Sequence, residues 1–272
     1  MDQFDKKAAV VTGGGSGIGK ALCLELARRG ARVVAADIDL ARAQVVADEI
    51  LRSGGFARAG KVNVAEEGSV NELMAKVVGE YGQIDFLFNN AGTSVTGDFR
   101  DIPIEEWKRV VDVNLWGVVH GCLVAYPIMV RQGRGHIVNM ASLSGLLPFP
   151  TNIPYSTTKH AVVGFTLSLR AEAADLGLRV SLVCPGYVQT GMFAATPVMN
   201  APKEEMLRKM PSNLMTAEQA ARCILAGVER NEAVIIFPAV ARVLWWLYRL
   251  APASMIPNQL AITRRFRKLR RE

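Results

Sequence analysis

The sequence predicts an α/β protein: a doubly wound parallel sheet covered by helices and confined to one domain. Three observations predict it. Short apolar runs alternate with segments of helical periodicity along most of the chain. Those runs are near-continuously apolar, the pattern of strands buried on both faces. A glycine-rich turn joins the first run to the first helix, and later polar clusters fall at strand ends, where such sheets bind ligands. With 272 residues, half of them hydrophobic, the chain suits one large domain with a sizeable core. No internal repeat, linker or low-complexity stretch divides it.

The elements follow in order. Residues 7–12 (KAAVVT) form a strand entering the glycine turn. Ile18, Ala21, Leu22 and Leu26 recur at helical spacing, and Gly30 stops that helix. Residues 32–36 (RVVAA) form a second strand ending at Asp37, and a helix from Leu40 to Leu51 closes at Ser53-Gly54-Gly55. A third strand ends in KVNV (61–64), and a helix covers 66–81. Then come a strand at 84–92 (IDFLFNNAG), a long helix at 104–131, a strand at 136–142 (HIVNMAS), a helix at 154–176 and a strand at 179–186 (RVSLVCPG). An irregular Met- and Pro-rich segment spans 187–215. A helix at 217–230 and a last strand, AVIIF, complete the alternation. Residues 1–238 read as the main domain and 239–272 as a C-terminal amphipathic helix with a basic tail.

The turn itself, TGGGSGIGKA at 12–21, fits two phosphate-binding templates imperfectly. Gly14, Gly19 and Lys20 follow the P-loop pattern, but Ala21 replaces the hydroxyl that would hold magnesium. The G-x-G-x-x-G spacing fails in every register. Gly13, Gly17 and Gly19 fit G-x-x-x-G-x-G instead. Strand, glycine turn and helix make the context a pyrophosphate site requires, with free N–H groups at the helix N-terminus. Asp37 follows Gly19 by eighteen residues. A carboxylate there accepts hydrogen bonds from ribose hydroxyls and repels a 2′-phosphate. With no Lys or Arg between Gly13 and Gly19, NAD is expected over NADP. A simple helix cap at Asp37 and an NADP-dependent ketone reductase stay open as alternatives.

YSTTK places Tyr155 and Lys159 four residues apart, on one helical face. Ser142 closes the strand thirteen residues upstream of Tyr155. Hydride transfer from an alcohol leaves an oxygen that must lose its proton. A phenol at pKa ~10 is too weak a base near neutrality. An ammonium at ~4 Å, at an effective dielectric of ~20, supplies roughly the 3–4 kcal/mol needed to lower it by ~2–3 units. Ser142 can hydrogen-bond the substrate oxygen.

On these residues the sequence resembles the short-chain dehydrogenase/reductase family, over residues 7 to about 190. Thr12-Gly13-x-x-x-Gly17-Ile18-Gly19 matches its cofactor loop, Asn89-Asn90-Ala91-Gly92 its N-N-A-G, and Pro185-Gly186 with Thr190 its nicotinamide-contacting segment. Asn114, Ser142, Tyr155 and Lys159 fall on its catalytic tetrad. The resemblance implies a Rossmann-like fold. It implies Tyr155 as general acid/base, Lys159 as its modulator and ribose ligand, Ser142 as the group positioning substrate, and Asn114 holding a relay water through its carbonyl. It implies a cofactor set of Gly13, Gly15, Ser16, Gly17, Ile18, Gly19, Asp37, Ile38, Asn63, Val64, Asn90, Ala91, Gly92, Tyr155, Lys159, Pro185, Gly186, Val188 and Thr190. Asn63 stands where the family usually has aspartate near adenine. The resemblance also implies homo-oligomers, dimers or tetramers, through helices 104–131 and 154–176.

The expected function is thus an NAD-dependent oxidoreductase acting on an alcohol or ketone. Tyr187, Met192, Phe193, Met199, Met206, Met210 and Met215 in the 187–215 segment suit a lid over a lipophilic small molecule, such as a steroid, retinoid, aryl or long-chain alcohol. The alternatives are a non-catalytic dinucleotide sensor and a nucleotide-sugar epimerase or dehydratase, which usually needs a longer chain. His120, His136 and His160 show no metal-ligand spacing, and no G-x-S-x-G of an α/β-hydrolase occurs. Cys23, Cys122, Cys184 and Cys223 lie far apart and read as reduced thiols. The start, MDQFDKK, lacks an apolar signal core, so a cytoplasmic protein is expected. Of the net charge of +7, five come from the tail RRFRKLRR and Glu272 (six cations less one acid). The nearly neutral body argues against nucleic-acid binding. AVARVLWWLYRL (239–250) followed by that tail reads as peripheral membrane contact through 239–271, with a subunit contact or a cleft cover as the other readings.

Overall fold

A computed structural model of the chain describes residues 2–208 and 214–270. Met210, Arg271 and Glu272, named above, lie outside the described residues. The strands are β1 (Ala8–Thr12), β2 (Arg32–Asp37), β3 (Phe56–Lys61), β4 (Phe86–Asn89), β5 (Gly135–Met140), β6 (Leu178–Pro185), β7 (Val188–Gln189), β8 (Met215–Thr216) and β9 (Val234–Phe237). The helices are α1 (Gly17–Arg28), α2 (Leu40–Arg52), α3 (Glu67–Tyr81), α4 (Ile104–Val111), α5 (Gly117–Gln132), α6 (Ile153–Ala173), α7 (Met192–Ala195), α8 (Lys203–Arg208), α9 (Ala217–Glu229), α10 (Ala239–Leu250) and α11 (Ile256–Leu269).

Seven strands form one sheet in the order β3-β2-β1-β4-β5-β6-β9, all parallel. Alternate residues on each strand feed opposite cores. Val10, Val34, Leu87 and Ile137 face a cluster with Leu73 of α3, Cys122 of α5 and Val162 of α6. Val11, Val33, Phe88 and Val138 face a second cluster with Leu22 of α1, Val46 of α2 and Ile224 of α9. A sheet buried on both faces explains why its strands lack polar alternation. The chain order reverses between β1 and β4, and that switch point opens a crevice beyond the strand carboxyl ends. The fold is the expected doubly wound, Rossmann-like α/β sheet.

Several segments depart from the sequence expectations. β4 ends at Asn89 rather than running to 92, because Asn90 turns away: its backbone N–H donates to Thr12 Oγ1 and its side-chain amide to Thr12 O. The helix expected over 104–131 is interrupted by a π turn at Asp112–Trp116. The basic tail is not a free chain. It folds as α11, whose Phe266 is buried and whose Arg267 and Arg270 pair with Asp98 and Asp101.

Candidate active site

The glycine turn is built by close approach. Gly13 has φ +65, and a Cβ there would sit 3.0 Å from Ala91 Cα. A Cβ on Gly19 would sit 2.0 Å from Gly13 O, so no other side chain fits. Ser16, at the N-cap of α1, makes no side-chain cap bond, and the first turn holds no acid. The leading N–H groups of α1 are thus left to an anion by the fold's own side chains. Gly17 faces Thr190, whose Cβ would lie 3.4 Å from a Cβ at that glycine. The segment after β6 therefore approaches the turn at Thr190.

Asp37 leaves β2 aimed at the same turn. Its Oδ2 accepts from Gly15 N at 2.9 Å and its Oδ1 from Asp39 N at 3.1 Å. The helix cap is Asp39 instead, which accepts from the Ala41 and Arg42 amides. Capping therefore does not account for Asp37. Ile38 beside it is 63% exposed, an apolar platform at the rim.

Asn90 braces the loop from the other side, with Ala91 N also donating to Thr12 Oγ1. The Thr12 hydroxyl donates in turn to Phe88 O. Thr12 is a residue whose role motif reading left unassigned. Asn89 donates to Asn139 Oδ1 at 2.9 Å, joining β4 to β5. Asn63 works within its own turn: its carbonyl accepts from Ala65 N and its amide donates to Glu66. Val64 packs toward Gly117, where an added Cβ would lie 2.8 Å from its Cγ2. Val188 is buried and pairs with Met215. Gly186 N donates to Phe237 O at 2.7 Å, fixing the Pro185-Gly186 bend against β9.

Ser142, Tyr155 and Lys159 meet beyond the ends of β5 and β6. Ser142 caps a short turn, its Oγ accepting from Ser144 N at 3.1 Å, and hydrogen-bonds the Tyr155 hydroxyl. Lys159 Nζ donates to Met140 O at 2.7 Å and lies 5.5 Å from the centre of the Tyr155 ring. A Cβ on Gly92 would lie 3.8 Å from that ammonium and 3.4 Å from Asn114 Oδ1, so the N-N-A-G turn borders the cluster. Asn114 is fully buried within the π turn. Its side chain donates to Thr93 O and Thr158 Oγ1 and accepts from Thr93 N. Thr158 is a second residue the motif did not single out.

The electrostatics correct one expectation. Burial pushes the Tyr155 phenol above its usual value, only partly offset by the Ser142 hydrogen bond. Burial brings Lys159 down from 10.5 to about 8. Desolvation penalises both charged forms, and with its ammonium tied to Met140 O, Lys159 does not by itself turn the phenol into a strong acid.

The 187–215 segment brings an aromatic group together. Tyr187 packs against Phe149 and Phe193 at 6.4 and 6.1 Å between ring centres. Met199 instead packs into a small cluster with Val95, Ile102 and Val110, and Met215 against the core beside α9. Asn152, just before α6, donates to Ser94 Oγ and Thr96 Oγ1. Those partners lie 58 and 56 residues away, so no local pattern marks them. The histidines are structural: His136 bonds Ser181 and is pushed down to about 3 by burial, His120 contacts Val64 O and His160 contacts Ser156 O. Cys23, Cys122 and Cys184 are buried free thiols, and Cys223 is partly exposed.

Known proteins agree with this arrangement. A family model for short chain dehydrogenases matches residues 7–201. A cyclohexanol dehydrogenase of Acinetobacter sp. (strain SE19) is 40% identical over 194 residues, covering 71% of this chain and 77% of that protein. The protein named SadH of Mycobacterium tuberculosis (strain H37Rv) is 32% identical over 262 residues, 93% of this chain and 94% of its own. A short chain dehydrogenase/reductase from Burkholderia phymatum, solved in complex with NAD, superposes with a TM-score of 0.86 at 30% identity, covering 95% of this chain and 97% of that one. With the matched segment spanning the glycine turn, the N-N-A-G bend and the Ser142, Tyr155 and Lys159 cluster, this chain is an oxidoreductase that belongs to the short-chain dehydrogenase/reductase family.

Proposed function

We propose that the chain is an NAD-dependent dehydrogenase that interconverts a lipophilic secondary alcohol and its ketone. The observation that carries the reading is the meeting of Ser142, Tyr155 and Lys159 beside Gly92, at the mouth of the crevice that the glycine turn closes from the other side. A nicotinamide dinucleotide fits that crevice. The turn is a cradle that any added Cβ would fill, and the uncapped N-terminus of α1 faces it.

Asp37 supports NAD over NADP. Its Oδ2 accepts from Gly15 N in the glycine turn, and a 2′-phosphate beside the carboxylate would meet a like charge. The bound cofactor supplies the hydride acceptor. Ser142 Oγ orients the substrate oxygen, and Tyr155 Oη takes its proton during oxidation and returns it during reduction. The Lys159 ammonium stabilises the phenolate while that proton is away, and Asn114, by its match to the tetrad, holds a relay water through its carbonyl. The aromatic wall of Phe149, Tyr187 and Phe193 favours an apolar substrate body, in keeping with the cyclic alcohol in the name of the Acinetobacter relative.

The test is reduction of each dinucleotide during turnover of a panel of cyclic, aryl and long-chain secondary alcohols, with wild type and Tyr155→Phe. Turnover with NAD exceeds that with NADP. Tyr155→Phe lowers kcat by at least about a hundredfold and leaves NAD affinity within a few fold. Retained turnover in Tyr155→Phe, or tighter use of NADP, overturns the reading.

A further inference from the structure

The C-terminal helices α10 and α11 carry exposed surface outside the Ser142, Tyr155 and Lys159 cluster. Residues 239–270 hold seven Arg or Lys and no Asp or Glu. α10 is apolar on two sides. Ala241, Leu244, Trp245 and Tyr248 pack inward on the sheet core. Val240, Val243, Leu247 and Leu250, spaced as one helical stripe, face out at 60, 64, 42 and 80% exposure. Trp246 stands beside them, half exposed, with the Arg249 guanidinium 5.5 Å from its ring centre. On α11 a second outward stripe runs Ile256, Leu260, Arg264 and Lys268, all exposed and each four residues from the last. Its other side holds the helix down, through Gln259 to Pro148 O, Arg267 to Asp98 and Arg270 to Asp101.

An apolar stripe that continues into cations, with no acid among them, matches the layers of an anionic bilayer surface. Alternative occupants fit less well. A second copy docked by two-fold symmetry would set this acid-free face against itself. Nucleic acid has no use for the exposed aliphatic stripe. α10 has 12 residues, about 18 Å of helix, too short for a ~30 Å hydrocarbon core. The segment long and apolar enough to cross a membrane among the described residues is 104–132. It packs on the sheet and carries Asn114, so it belongs to the catalytic fold.

We propose that the outward stripes of α10 and α11 dock on anionic lipid bilayers. Val243, Leu247, Leu250 and Ile256 enter the headgroup boundary, while Arg264 and Lys268 meet lipid phosphates. The proposal does not rest on the reaction assigned above.

Full-length protein is sedimented with vesicles of phosphatidylcholine alone and of phosphatidylcholine mixed with phosphatidylglycerol. Partition onto the mixed vesicles is expected to be at least about tenfold stronger and to fall as salt rises. Leu247→Glu with Leu250→Glu lowers partition at least about tenfold, with turnover of a water-soluble secondary alcohol unchanged. Arg264→Glu with Lys268→Glu abolishes the preference for mixed vesicles. Absence of partition by wild type, or equal partition by these variants, overturns the proposal. So does a lipid-free change in oligomeric mass in the Leu247→Glu, Leu250→Glu protein, which would assign the face to contact between copies.

Discussion

Lys159 shows how burial sets both function and stability. Its neutral form is favoured inside the fold, where its value falls from 10.5 to about 8, while the unfolded chain keeps the higher one. Between those values the unfolded state binds more protons, so stability contributed by this residue rises with pH across that window and is flat below it. The size is on the order of 2–3 kcal/mol. Urea unfolding of wild type and Lys159→Met at the two ends of the window should show it: the stability of wild type relative to the variant increases by about that amount on going alkaline. An unchanged difference would mean that the ammonium is solvated. The Tyr155–Lys159 pair was legible because a helix brings residues four apart together whatever surrounds it. The direction of the phenol's shift was not legible, because it depends on burial and on Met140 O holding the lysine, neither of which spacing reveals. The local partners of Asn63 were hidden for a similar reason. Its partners are in its own turn, and a competing local hydrogen bond is invisible until the backbone is placed.

At the scale of elements, the seven strands of the main sheet were legible where apolar runs were long, ends were lost where side chains pull the chain aside, as Asn90 does, and the two-residue strands β7 and β8 were not seen in the irregular segment. α11 was illegible because its cations read as a solvated tail. What orders it is long-range: Arg267 and Arg270 find carboxylates 169 residues away. Both acids sit at a loop that is itself tied to the substrate side, since Thr96 N donates to Pro197 O and Gly97 N to Thr151 O. The paired arginines hold Asp98 below the usual carboxylate range and Asp101 down from 3.8 to about 2. A carboxyl depressed in the fold contributes stability above its unfolded value and loses it as pH falls toward the folded one. Amide exchange in 256–269 should therefore quicken in Asp98→Asn with Asp101→Asn, and in wild type as pH drops from 3.8 toward 2 after correction for intrinsic exchange, while exchange in the β1 and β4 amides stays slow. Uniform exchange across both variant and wild type would show that Phe266 packing alone anchors the helix.

At the scale of the molecule, the remaining exposed apolar surface differs in kind from the outward stripes of α10 and α11. Trp116 in the π turn and Leu123 on α5 are 49 and 58% exposed, and Leu167 on α6 is 38% exposed. Thr157, His160 and Gly164 are exposed on α6 beside it, and nothing lies within 4 Å of where a Gly164 Cβ would be. Both helices thus carry exposed apolar and small residues that a two-fold partner can cover. Because α5 and α6 also carry the approaches to Asn114, Tyr155 and Lys159, burying their outer faces would stiffen the site from behind. The expected species is a homo-oligomer built on these helices. Light scattering at micromolar protein should give a multiple of the chain mass, and Leu123→Glu with Leu167→Glu should reduce it to the single chain by placing like charges across the two-fold. The monomer so made should keep its sheet but lose thermal stability and turnover together, since Tyr155 and Lys159 would stand on a helix freed on one side. A wild type that scatters as a single chain at this concentration would mean that the α5 and α6 faces stay in water, and that the Tyr155 helix is held by its inner contacts alone.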